Sequence, residues 1–164
     1  MTFRVGWGYD AHRLDGPPPL KLGGVVVSES IGISSTSDGD VLAHAVTDAL
    51  LGAAVAGDIG EHFPSEDPTN EGADSMAILG RALEMCTAAG FSPHHVDVTV
   101  VAEEIRISPF RATMRTALAE TLGMDVDAVS VKATSTDGLG FVGRGEGLAV
   151  VAVVTVGPVP NISP

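Results

Sequence analysis

Asp10, His12 and His44 are the residues whose types and spacing most directly suggest chemistry. One carboxylate and two imidazoles form an N/N/O donor set that suits Zn²⁺ or another divalent transition metal. Three protein ligands leave a fourth tetrahedral position open, which separates a catalytic zinc from a structural one. Asp10 and His12 stand two apart in strand-like sequence, so both side chains leave the same face. A capped strand end with a solvent-facing histidine would produce the same Asp-Ala-His triplet, and the triplet alone does not separate the two readings.

His44 and Asp48 stand four apart in a helical segment and share a face, interrupting an otherwise alanine- and leucine-rich surface. Asp48 can orient the imidazole or reach a substrate itself. Ahead of this helix, Ser37-Asp-Gly-Asp40 offers backbone N–H groups at a helix N-terminus, a usual seat for phosphate, although a plain helix cap uses the same residues. Asp58-Ile-Gly-Glu-His62-Phe63 follows, with a carboxylate suited to sugar or polyol hydroxyls. Thr134-Ser-Thr-Asp137 ends a strand with three hydroxyls and a carboxylate, which suit phosphate oxygens and a hard cation such as Mg²⁺. The glycine-dense stretch Gly138–Gly147 lacks the Lys-Ser/Thr ending of a nucleotide loop. Arg144 and Glu146 within it are placed to pair with each other.

The elements that must position these residues read as follows. Alternation predicts a first strand over Phe3–Tyr9 and a second over Leu20–Val27, separated by the helix-forbidding Pro17-Pro-Pro19. A helix capped by Asp38 or Asp40 runs to about Ala56, with Gly57 as its stop. Asp58–Asp74 reads as a flexible loop. A second helix, capped by Asp74 or Ser75, passes through the half-buried or buried Cys86 to Gly90. Val96–Ala102 is a strand, and Ser108-Pro109 opens a third helix that ends at Gly123. Val129–Thr136 and Gly147–Val156 complete the set. This order predicts an α+β fold: a mixed β-sheet with helices packed on one face, forming two layers. The valines of the last strand occupy both parities, as expected of an oligomer that packs its sheets together.

A length of 164 residues fits one domain over 1–164 with a real core. Aromatics make up only 4% of the chain, so that core is aliphatic. The net charge of −12, with Lys21 and Lys132 as the two lysines, argues against nucleic-acid binding. An anionic substrate would then need metals and backbone N–H groups for its positive field. Cys86 is the single cysteine, which rules out an intramolecular disulfide. No apolar run reaches spanning length, and Met-Thr-Phe-Arg-Val enters strand-like sequence directly, so a cytoplasmic protein is the expectation.

Taken together, these blocks resemble the 2-C-methyl-D-erythritol 2,4-cyclodiphosphate synthase family of the non-mevalonate isoprenoid pathway. The resemblance rests on Gly8-Tyr-Asp-Ala-His12, Ser37-Asp-Gly-Asp-Val41, His44, Thr47–Ala54, Gly57-Asp-Ile-Gly60, Phe63-Pro64, Asp67-Pro68, Gly72-Ala-Asp-Ser75, Val131–Thr134, Leu139-Gly-Phe141 and Gly143–Gly147, in order and at family spacing. It implies a homotrimer with active sites between subunits. It implies zinc on Asp10, His12 and His44, and Mg²⁺ or Mn²⁺ with the substrate diphosphate, aided by Asp137. The substrate 4-diphosphocytidyl-2-C-methyl-D-erythritol 2-phosphate would cyclise with release of CMP. By the same resemblance, Asp58, Ile59 and Gly60 would bind the methylerythritol part, and Ser37, Phe63 and Asp67 would also bind the substrate. Ala102, Arg106, Ile107 and Ser108 would meet cytosine. Thr134, Ser135, Thr136 and Asp137 would cradle the diphosphate, and Phe141, Arg144 and Glu146 would line a threefold cavity for isoprenoid diphosphates. Thr36, Asp48 and Ser135 are the candidate catalytic groups. The chain departs from the family at Thr36, which replaces a usual His, at Ser65 for Asp, at Asp137 for Glu and at Arg106 for Lys. His62 is the nearby candidate to compensate for Thr36. Two other readings use the same residues: a zinc phosphoesterase or lyase acting on a related diphosphate, and a weakly active trimer that binds isoprenoid diphosphates.

Overall fold

The computed structural model of the chain describes residues 3–159. Strand β1 (Arg4–Arg13) leads into a small hairpin, β2 (Leu20–Leu22) and β3 (Val25–Ser28). Helix α1 (Val41–Ala54), a single turn α2 (Ile59–His62) and helix α3 (Ser75–Ala88) follow. Then come β4 (Phe91–Val101), α4 (Arg111–Leu122), β5 (Val129–Thr134), one turn α5 (Gly140–Gly143) and β6 (Gly147–Pro158). The main sheet has the order β1-β6-β4-β5. β6 is antiparallel to β1 and β4, and β4 is parallel to β5, so the sheet is mixed.

Every second residue of the sheet faces the helices. Val96, Val98, Val100, Val150, Ala152, Val154 and Val156 are fully buried there against Leu42, Leu50, Leu79, Met114 and Leu118. The expected α+β layers with helices on one face are present. On the other face Val5, Trp7 and Tyr9 remain 66%, 63% and 46% exposed. Among the described residues no helix is long and apolar enough to cross a membrane.

α1 runs antiparallel to β1 at very close range. A β-carbon built on Gly6 would lie 1.8 Å from the Ala49 carbonyl oxygen, and one on Gly8 would lie 2.0 Å from that of Ala45. Only residues without side chains permit this approach. It brings the first turn of α1 over the end of β1.

Several expected boundaries change. β1 extends through Asp10 and His12 to Arg13, beyond Tyr9. Leu20–Val27 is a hairpin instead of one strand, because Gly23 and Gly24 take positive φ (59° and 74°) and turn the chain. α1 stops at Val55, which itself adopts the left-handed conformation (φ 58°, ψ 43°) expected of Gly57. β4 begins at Phe91, five residues early, with Pro93 accommodated at a register shift against β6. Pro109 precedes α4, whose N-cap is Phe110. β5 ends at Thr134, not Thr136, and β6 runs on to Pro158.

Asp58–Asp74, expected to be a flexible loop, is built from local caps. Asp58 caps α2, Asp67 caps a short 3-10 turn over Pro68–Asn70, and the Gly72 N–H donates to the Thr36 carbonyl at 2.8 Å. Single turns closed by aspartates are too short to register as periodicity.

Candidate active site

Asp10 and His12 project from the same face of β1 as Gly6 and Gly8, toward α1, where His44 occupies the first turn. Asp10 Oδ2 lies 3.4 Å from His12 Nε2 and 3.1 Å from His44 Nδ1. All three ligand atoms fall within 4.8 Å of one another. Donors bonded to a tetrahedral zinc at 2.0–2.1 Å stand about 3.4 Å apart, so the set is sized for one ion. A carboxylate oxygen and an imidazole lone pair also repel at 3.1 Å unless a proton or a cation stands between them. The residues therefore fit a divalent metal by spacing and by donor chemistry.

In the metal-free chain the triad is coupled electrostatically. Burial opposes ionisation of Asp10, but hydrogen bonds from His12 and His44 and their charge outweigh it and hold the carboxyl at about 2. The hydrogen bond to Asp10 raises His12 above its ordinary value, against the effect of burial.

Asp48, one turn beyond His44, accepts the Ile59 N–H at 2.8 Å and so fastens the Asp58–Gly60 segment to α1. Burial raises its carboxyl above the ordinary range, helped by the charges of Asp58 and Asp10. His62, the expected substitute for Thr36, is bonded elsewhere, its Nε2 lying 2.6 Å from the Ala56 carbonyl oxygen. The N-terminus of α1 is not a phosphate seat either. Asp40, wholly buried, fills it with its own carboxylate, accepting from Ala43, Gly23 and Gly24 N–H groups at 3.0, 2.8 and 2.7 Å.

A cavity of about 440 Å³ opens at the triad. Asp10, His12, His44 and Asp48 line it with Thr36, Ser37, Ile59, Gly60 and Phe63, as the sequence leads one to expect. Ser34, Ser35, Ser65 and Asn70 join them. The unbroken run of hydroxyl residues Ser34–Ser37 was the legible signal for two of these. Asp67 does not line the cavity, because its carboxylate caps its own turn, accepting from the N–H and Oγ1 of Thr69 at 2.9 and 2.8 Å.

The remaining expected residues gather elsewhere. Ala102–Ser108 follows β4, and Thr134–Asp137 runs on from the end of β5, while β1 carries Asp10 and His12 of the triad. β1, β4 and β5 run parallel to one another, so these segments emerge at one end of the sheet. β1 and β5 are its opposite edges, three strand spacings or about 14 Å apart. Thr136 N–H and Oγ1 reach Glu103 Oε2 at 3.2 and 3.5 Å, joining these two segments to each other. Arg144 and Glu146 pair as expected, at 2.7 and 3.2 Å. They sit with Phe141 near a smaller hollow lined by Phe141, Glu146 and the β1 residues Ala11–Arg13.

Comparison with known proteins agrees with this architecture. Residues 3–157 match the model of the YgbB family. The chain is 52% identical over 153 residues to the 2-C-methyl-D-erythritol 2,4-cyclodiphosphate synthase of Salinibacter ruber, covering 93% of this chain and 98% of that protein. It is 47% identical over 154 residues to that of Shewanella halifaxensis, covering 94% and 97%. Among solved structures it resembles the bifunctional IspDF of Campylobacter jejuni (TM-score 0.94, 40% identity), covering 96% of this chain and spanning 43% of that one. It also resembles a CDP complex of IspF from Plasmodium falciparum (TM-score 0.82, 30% identity), covering 95% and 96%. The chain thus belongs to the YgbB family, that of the 2-C-methyl-D-erythritol 2,4-cyclodiphosphate synthases.

Proposed function

We propose that this chain converts 4-diphosphocytidyl-2-C-methyl-D-erythritol 2-phosphate to 2-C-methyl-D-erythritol 2,4-cyclodiphosphate and releases CMP. The observation that carries this reading is the convergence of Asp10, His12 and His44 on a hydroxyl-lined cavity in a chain of this family. An oxygen of the 2-phosphate attacks the β-phosphorus. The bond from that phosphorus to the bridging oxygen breaks, and CMP leaves with the electron pair. Such a transfer needs in-line positioning and neutralised oxygens more than covalent help.

Asp10, His12 and His44 would hold Zn²⁺, which when bound withdraws charge from a phosphoryl oxygen. Ser34, Ser35, Thr36 and Ser37 line the cavity, and their hydroxyls would donate hydrogen bonds to phosphate oxygens. Thr36 would do so without the positive charge a histidine could carry there. Asp48 works through Ile59, keeping the segment that meets the methylerythritol hydroxyls in place.

The other half of the site comes from a neighbouring copy. Ala102, Arg106, Ile107 and Ser108 would hold cytosine, and Thr134–Asp137 the diphosphate with its Mg²⁺ or Mn²⁺. A homotrimer that sets the β1 edge of one copy beside the β5 side of the next closes the gap, and the exposed Val5, Trp7 and Tyr9 supply apolar area for it. The Phe141 and Arg144 region would then face the threefold axis, where an isoprenoid diphosphate could bind.

Incubating the purified chain with the cytidyl substrate, Zn²⁺ and Mg²⁺ tests the reading. CMP and the cyclic diphosphate are expected in equal amounts by ³¹P NMR. CMP without the ring would make it a phosphoesterase instead. His44→Ala is expected to abolish both zinc binding and turnover while leaving the assembly intact.

A further inference from the structure

We propose that Ser75 and Asp38 are positioning residues of the metal centre: a two-step hydrogen-bond relay through them holds the His44 ring so that a free Nδ1 faces the ion. The inference rests on Asp10, His12 and His44 being metal ligands.

Ser75 is fully buried, and among the described residues it shares that state with two other polar side chains, Asp40 and Thr47. Those two have local duties. Asp40 caps α1, and the Thr47 hydroxyl donates to the Ala43 carbonyl at 2.8 Å. Ser75 has no such duty, because the cap of α3 is Asp74. Its Oγ lies 2.5 Å from Asp38 Oδ1 and 2.9 Å from His44 Nε2.

A hydroxyl has one proton to give. The Asp38 carboxylate can only accept, and its other oxygen lies 3.6 Å from the Lys21 ammonium. The Ser75 proton therefore goes to Asp38, and Ser75 must accept from His44 Nε2–H. Ser37 Oγ, 3.2 Å from the same nitrogen, is a second acceptor. With Nε2 protonated, Nδ1, which can share a proton with Asp10 in the metal-free chain, is the nitrogen left to offer its lone pair once a metal ion is bound. Asp38 is itself fixed, since its N–H donates to the Ala73 carbonyl at 3.0 Å and its Oδ1 also accepts the Ser75 N–H at 3.2 Å. Partners behind a metal-bound histidine set both its tautomer and its orientation. Here the partner is a hydroxyl backed by a carboxylate, drawn from a helix and a loop distant in sequence.

Two measurements test this. In the zinc-loaded wild-type chain with ¹⁵N-labelled histidine, a long-range ¹H–¹⁵N spectrum is expected to show His44 protonated at Nε2. In competition with a chromophoric chelator, Ser75→Ala and Asp38→Ala are expected to bind Zn²⁺ and Co²⁺ about 10–100-fold more weakly than wild type. Ser75→Thr keeps the hydroxyl and is expected to stay within about threefold. A metal-bound His44 protonated at Nδ1, or a folded Ser75→Ala chain with wild-type affinity, overturns the relay alone. A wild-type chain that takes up neither metal overturns the metal centre and the relay with it.

Discussion

The α-carbon of Gly8 meets the carbonyl of Ala45 so closely that a β-carbon there would stand 2.0 Å from the oxygen. That contact sets the height of α1 above β1, and hence the distance from His44 to Asp10 and His12. Gly8→Ala should push the helix outward, because the obstacle is backbone and cannot rotate away. A loss of about 3 kcal/mol is expected, or about 6–12 °C in melting temperature for a chain of this size. Thermal denaturation checks the first effect, and a parallel fall in Zn²⁺ affinity checks the second.

Metal uptake should depend on pH through His12. Binding needs a neutral imidazole, and Asp10 raises the His12 value above 6.5 in the metal-free chain. Affinity is therefore expected to climb as pH rises toward that raised value and to level off above it. Asp10, held at about 2, stays ionised throughout and adds nothing to the slope. Chelator competition between pH 5.5 and 8.5, as an approximate range, reads this out; a flat profile would contradict it.

Val55 offers a stabilising change. It is β-branched, 79% exposed and in the left-handed region at φ 58°, where a side chain crowds its own backbone. Val55→Gly relieves that strain and gives α1 the usual terminating residue. A gain of about 1 kcal/mol is expected, seen as a rise of about 2–4 °C in melting temperature.

Trp7 and Tyr9 stack on the outer face of β1, with ring centroids 6.1 Å apart, and contribute little to the core of one chain. Trp7→Asp should spare the fold and break the proposed trimer. Light scattering is expected to show the mass of one 16.7 kDa chain, with far-ultraviolet circular dichroism retained.

Much of the site was legible because chemistry and period coincide. Asp10 and His12 share a strand face, His44 and Asp48 share a helix face, and each face is otherwise apolar or glycine. Periodicity was silent where single residues decide. Nothing in Leu20–Val27 except Gly23-Gly24 marks the hairpin, and Val55 is a poor sequence signal for a left-handed cap. Ser37-Asp-Gly-Asp40 was legible as a cap, but not that Asp40 would bury its own carboxylate in the expected anion seat. The Ser75–Asp38 contact joins residues 37 apart in sequence, beyond the reach of any local pattern. In each pair of alternative caps the aspartate next to the helix won, and the two losers, Asp38 and Ser75, bond each other.

The placement of Asp10 and His12 on β1 and of the proposed diphosphate cradle beyond β5, at opposite margins of one sheet, gives the proposed trimer a genetic corollary. A chain crippled only in its triad and another crippled only beyond β5 should repair each other when mixed before assembly. Random association of equal amounts would give about one quarter of junctions an intact pair of halves, and about that share of normal turnover, from two preparations inert when assayed apart.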